Sequence, residues 1–89
     1  MAYSSITVGT TSTLVVEANP QRHSIIITNE GISVIFLGND NAVTTATGIS
    51  LSSGSNLTED SSGTKLYGGA YYAIAASGSA TVRYWERIR

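Results

Sequence analysis

Apolar residues in this chain come in short, β-branched-rich runs, and Gly, Asn, Ser or Asp cuts each run within a few positions. No window holds a 3.6-residue period, so helices are excluded as the building elements and an all-β chain remains. The candidate strands are Ser5 to Val8, Thr13 to Ala18, Ser24 to Thr28, Ser33 to Leu37, Ile49 to Leu51, Ser55 to Thr58, Lys65 to Tyr67, Tyr71 to Ala75 and Ala80 to Glu86. Asn19-Pro20 closes the second of them. Asn29-Glu30-Gly31 reads as a tight hairpin turn, and Ser52-Ser53-Gly54, Gly68-Gly69 and Ser77-Gly78 read as further turns. The polar stretch from Asn39 to Gly48 reads as a loop with at most a short strand at Val43-Thr44. Short strands at this spacing predict a small antiparallel β-sandwich or a jelly-roll-like barrel. Residues 1–11 form an N-terminal arm or edge strand, and residues 12–89 form a single domain.

Composition narrows the function classes. Only five basic and six acidic residues give a net charge of −1, which argues against a nucleic-acid coat and against a polybasic membrane anchor. With 42% apolar residues the chain is not of the disordered kind. The absence of cysteine removes disulfides, thiolate zinc sites and a cysteine nucleophile, and a single histidine removes a multi-His metal site. No cofactor is expected. No run approaches a transmembrane helix, and Met1 to Ser5 lacks the basic and apolar regions of a signal peptide, which predicts synthesis in a cytoplasm. A chain of 9.3 kDa buries about 60% of its extended surface, a marginal core without disulfides, so a partner subunit is expected.

Strand parity then marks two surfaces. Ile25 and Ile27 face one way and Ile26 the other; Val34 and Phe36 face one way, Ile35 and Leu37 the other. A hairpin made of these two strands is apolar on both faces. Its second face is covered either by loops or the opposite sheet, or by a neighbouring subunit. The small size of the chain favours the subunit, which makes Ile26, Ile35 and Leu37 candidate oligomer contacts. On the last strand, Val82, Tyr84 and Ile88 share one parity, while Arg83, Trp85, Arg87 and Arg89 share the other. That second face suits an acidic or sugar-bearing partner, or is a solvated face on which Arg stems cover the Trp ring.

The residues for catalysis are thin. His23 is the only imidazole and no G-x-S-x-G elbow accompanies it, so it is read as structural. Glu59 and Asp60 are neighbours on an extended segment and point apart, which disfavours an acid/base pair. Asp40, between Asn39 and Asn41, lacks the spacing and distal Glu of a calcium loop. Tyr71 and Tyr72 offer an aromatic platform, although one of the two must face inward on a strand.

The order of segments resembles a known group. Asn19-Pro20-Gln21-Arg22-His23-Ser24 runs into Ile25-Ile26-Ile27-Thr28-Asn29, followed by Val34-Ile35-Phe36-Leu37-Gly38, Val43-Thr44-Thr45 and Gly48-Ile49-Ser50-Leu51. Leu66-Tyr67, Tyr72-Ala73-Ile74-Ala75 and Thr81-Val82-Arg83 complete the series. This order is similar to that of small virion accessory proteins of tailed bacteriophages, over about residues 13 to 85. The resemblance implies a β-sandwich with a structural role on the particle, commonly as a homotrimer, and no catalytic residues. It implies that Arg22 ties down a nearby carbonyl or carboxylate, and that Gly38 and Gly48 serve turns needing positive φ. The Asn39 to Thr47 loop is longer and richer in Asn than that pattern.

The expected function is therefore a capsid decoration or cement protein, located on the virion, with the major capsid protein as partner. Tyr3, Ser4 and Ser5 of the arm, with Arg83, Trp85, Arg87 and Arg89, are the candidate capsid or ligand contacts. A tail, neck or fibre component is the nearest alternative. A carbohydrate-binding module for virion attachment, using Tyr71, Tyr72 or Trp85, is an alternative of another class.

Overall fold

The computed structural model describes residues 2–60 and 67–88, and side chains from Ser4 onward within that range. The described residues form eight strands: β1 Ala2–Val8, β2 Thr13–Val16, β3 Arg22–Asn29, β4 Ile35–Gly38, β5 Ile49–Leu51, β6 Asn56–Asp60, β7 Tyr71–Ala75 and β8 Ala80–Ile88. They form two four-stranded antiparallel sheets, β1-β8-β3-β6 and β2-β7-β4-β5. The first strand therefore pairs with the last, the second with the seventh, the third with the sixth and the fourth with the fifth. β3 joins β8, and β4 joins β7, to complete each sheet. A long hairpin folded at β4–β5 and rolled over itself gives this order, which is the eight-stranded jelly-roll topology. The all-β sandwich expected from the sequence is the fold.

The expected pairing of neighbours is corrected. β3 and β4 do not form a hairpin; they lie in opposite sheets, and so do all other consecutive strands except β4 and β5. Asn29-Glu30-Gly31, Ser52-Ser53-Gly54 and Ser77-Gly78 do reverse the chain, but each carries it across the core. The reason at the first turn is Asn29, which is fully buried. Its Nδ2 donates to the carbonyls of Ser33 at 2.8 Å and Leu51 at 2.9 Å, and its Oδ1 accepts from the Gly31 amide. Its backbone bonds to Ser55 and Gly54, so one side chain fastens the β3–β4 crossing to the β5–β6 crossing. Gly31 is needed there because a Cβ would sit 2.6 Å from that of Ala80.

The core lies between the sheets, built from Ile25, Ile27, Ile35, Val8, Val16 and Val82, each 1% exposed or less, with Leu37, Leu51, Tyr71, Ala73 and Ala75 around them. Ile35 and Leu37 thus belong to the interior, not to an outer contact face, and only Ile26 of the expected oligomer contacts faces outward. The loop between β4 and β5 forms no strand at Val43-Thr44. It folds back so that Val43 is buried against Gly38, where an added Cβ would meet its Cβ at 2.7 Å. Gly48 is likewise close to Phe36 and Val43. Both glycines are therefore explained by close approach; among the described residues positive φ occurs at Gly54 and Gly78. The loop covers part of the outer side of β4.

The N-terminal segment is the edge strand, not a free arm: β1 pairs with β8 along its whole length. Of the expected strand Lys65 to Tyr67, residues 65 and 66 lie outside the described residues and Tyr67 is not in a strand. The accessible surface is 5092 Å², close to the roughly 5,000 Å² expected for a folded monomer of this mass.

Candidate functional site

The outer face of the β1-β8-β3-β6 sheet gathers most of the contact residues expected from the sequence. Alternation along β8 sends Ala80, Val82 and Glu86 inward, all buried, and leaves Arg83, Trp85 and Arg87 exposed. Register builds rows across the sheet. Trp85 stands between Tyr3 of β1 and Ile26 of β3, and Ile26 is followed by Thr58 of β6. One row further along are Ser5, Arg83, Thr28 and Asn56; on the other side are Arg87, Ser24 and Asp60. Trp85 is 44% exposed, so its ring presents a flat apolar surface with a guanidinium two residues away on either side. His23, Ser24, Ile26, Asp60, Trp85 and Arg87 line a shallow groove of about 330 Å³.

Ser5 and Ser4 are exposed on β1, but they lie on opposite faces: Ser5 is opposite Arg83 and Ser4 opposite Tyr84. For Tyr3 the backbone register is described, and Arg89 lies outside the described residues. Ile26 joins this face beside Trp85, so a residue expected at an oligomer contact and one expected at a partner contact share one surface.

Glu59 and Asp60 do point apart. Asp60 is exposed, whereas the Glu59 carboxylate accepts the Tyr71 hydroxyl at 2.6 Å. Burial, and then that carboxylate, push the Tyr71 phenol above its ordinary range. Tyr71 is therefore interior and drops out of the aromatic platform; Tyr72 is half-buried on the outside of the β2-β7-β4-β5 sheet, opposite Leu14 and Gly38. Asp40 accepts the Ala42 amide and shapes a turn. Among the described residues no three His, Asp or Glu side chains cluster as metal ligands would.

The cluster that sequence reasoning located only in part is buried at the opposite end from Asn29. Arg22 Nε donates to Glu86 Oε2 at 2.6 Å; Nη1 reaches the carbonyls of Tyr67 and Gly69, and Nη2 that of Glu17. The guanidinium also lies 5.4 Å from the Tyr71 ring centroid. Arg22 ties down both a carboxylate and carbonyls, as the resemblance implies. Its partner Glu86 is marked in the sequence only by a charged residue on the inward parity of β8.

Comparison with known proteins gave no match: no family model, no curated protein and no solved structure is significantly similar to this chain.

Proposed function

We propose that the chain is a structural accessory subunit of a tailed-phage virion, a decoration protein that binds the outer face of the capsid and reinforces the head. The observation that carries this reading is the exposed strip Arg83–Trp85–Arg87 on β8, a strand held on both sides by β1 and β3. An exposed Trp flanked by arginines on a fixed strand is the composition of a protein contact surface, where Trp and Arg contribute most of the energy. The two guanidiniums suit an acidic patch on the major capsid protein. Each copy adds a modest contact, and copies arrayed on a symmetric shell act together. The jelly-roll order is compatible with this role, since such folds serve in viral particles.

Co-sedimentation with capsids stripped of accessory proteins tests the proposal. Wild-type protein is expected to pellet with the capsids, and Trp85→Ala and Arg83→Glu/Arg87→Glu to stay in the supernatant. No binding by the wild type overturns the capsid assignment. Copy number per virion separates a head protein, present in hundreds, from the tail, neck or fibre alternative.

A second reading has its own support in the groove that Trp85 lines together with polar Ser24, Thr58 and Arg87. Aromatic faces edged by hydrogen-bonding groups suit a sugar ring, and jelly rolls include lectins. Glycan-array binding that disappears in Trp85→Ala, with no capsid binding, favours this reading over decoration.

A further inference from the structure

The two sheets have four edge strands, and three of them carry a device that discourages pairing with another chain. β5 is three residues long. β2 has four residues and a register shift between Leu14 and Val16. β6 carries Glu59 and Asp60. β1 has none of these devices. It is seven residues long, without charge or proline, and it pairs with β8 in unbroken register, so its other edge is straight.

We infer that the β1 edge is an interface, and that its occupant is the β1 edge of a second copy, paired antiparallel across a two-fold axis. Self-pairing of Ala2–Val8 sets no charge against a like charge, because the strand has none. The nearest cations, Arg83 and Arg87, stand one strand back on β8. In the joined sheet the two β8 strands are three strand spacings apart, about 14 Å, beyond the Debye length of about 8 Å at physiological salt. Beside this edge, on the inner side, a groove of about 430 Å³ sets apolar Ile6, Leu14, Val15 and Ile88 beside polar Glu17 and Asn19. The incoming strand would bring its own Ile6 on that same inner side and shield the apolar part of this lining from water. The result is an eight-stranded sheet in which two Arg83–Trp85–Arg87 strips lie on one continuous face.

Light scattering on the purified full chain, coupled to gel filtration over a concentration series, tests this. The expected mass is twice that of the 9.3 kDa chain at high concentration, falling to one chain on dilution. The variant Ser5→Glu/Thr7→Glu places one glutamate opposite Arg83 within the subunit, which supports the fold, and brings glutamates together across the two-fold. It should keep the wild-type circular dichroism and associate at least about tenfold more weakly. Trp85→Ala should leave pairing intact. In the wild type, β1 amides facing away from β8 should gain hydrogen-exchange protection as concentration rises, a readout that needs no variant. A monomer at all concentrations, a trimer such as the resemblance implies, or a folded glutamate variant that pairs as tightly as wild type overturns the inference. Loss of capsid binding bears on the decoration proposal alone and leaves the mass measurement standing.

Discussion

Arg22 and Glu86, 64 positions apart in sequence, form an ion pair at 2.6 Å with 0% and 7% of their side-chain surfaces exposed. The pair locks the start of β3 to the end of β8. The three carbonyls on the same guanidinium hold the β2–β3 connection and the approach to β7 against that lock. Removing one partner from a buried pair leaves the other charge unpaired, at a cost of about 3–5 kcal/mol. Arg22→Met and Glu86→Leu should each show that loss in urea unfolding. The double variant should recover part of it, but not all, because the carbonyls of Tyr67, Gly69 and Glu17 still lose their donor. Strict additivity of the two single losses would mean that the pair is not coupled.

Asn29 is the corresponding fastener at the other end, with both amide hydrogens and its carbonyl oxygen engaged. Asn29→Asp keeps the shape and replaces the donor by an oxygen facing two carbonyls. A loss of about 2–4 kcal/mol is expected, since buried acceptors are left unsatisfied and a charge is buried beside them. An Asn29→Asp melting temperature equal to that of wild type would show that the crossing does not depend on this side chain.

Two glycines should respond differently to alanine. At Gly31 the added methyl meets Ala80 Cβ at 2.6 Å and Ala80 Cα at 2.7 Å, and the latter is backbone that cannot rotate away. At Gly54 the space is open and the cost is the positive φ of 80° alone, about 1–2 kcal/mol. Gly31→Ala is therefore the more destabilising of the two. The reverse order in chemical denaturation would contradict the close approach of the first crossing to β8.

Tyr71 gives a pH dependence. Its folded pKa lies above the ordinary value of 10.0, because burial and the Glu59 carboxylate favour the neutral phenol. Above about pH 10 the unfolded chain releases this proton while the folded chain keeps it, so stability falls as pH rises; below pH 10 the contribution is complete. Tyr71→Phe removes the group and the hydrogen bond, costing about 1 kcal/mol near neutrality. Thermal melts from pH 8 to pH 11 should fall more steeply for wild type than for Tyr71→Phe. Parallel profiles would mean that the phenol is not held neutral.

Trp85 should separate stability from binding. It is 44% exposed, and its register partner on β3 is the outward-facing Ile26. Trp85→Ala is expected to cost about 1 kcal/mol or less in unfolding, far below a core Trp. A loss of several kcal/mol would mark the ring as part of the packing instead of a contact surface.

Much of the strand content was legible in the chain. Apolar runs broken by Gly, Asn and Ser placed Ile49–Leu51 and Tyr71–Ala75 at their observed bounds and most other strands within a few residues. Parity set Arg83, Trp85 and Arg87 on one face of β8, because side chains on a strand alternate wherever the ladder is regular. It failed at irregularities. Counting back from Ile26 and Ser24 by twos puts Arg22 outside, yet the register shift between Arg22 and Ser24 turns it into the interior. At β2 a similar shift buries both Val15 and Val16 and leaves Leu14 39% exposed.

The sequence by itself determined that the chain is all β, where it reverses, and which residues of β8 face water, since these follow from local sterics and a two-residue period. Tertiary structure alone decided which strands pair. A turn such as Asn29-Glu30-Gly31 states that the chain reverses, not whether it reverses within a sheet or across a core. That choice rests on contacts far apart in sequence: the Asn29 amide on Leu51, the missing side chain of Gly31 against Ala80, and the charge of Arg22 on Glu86.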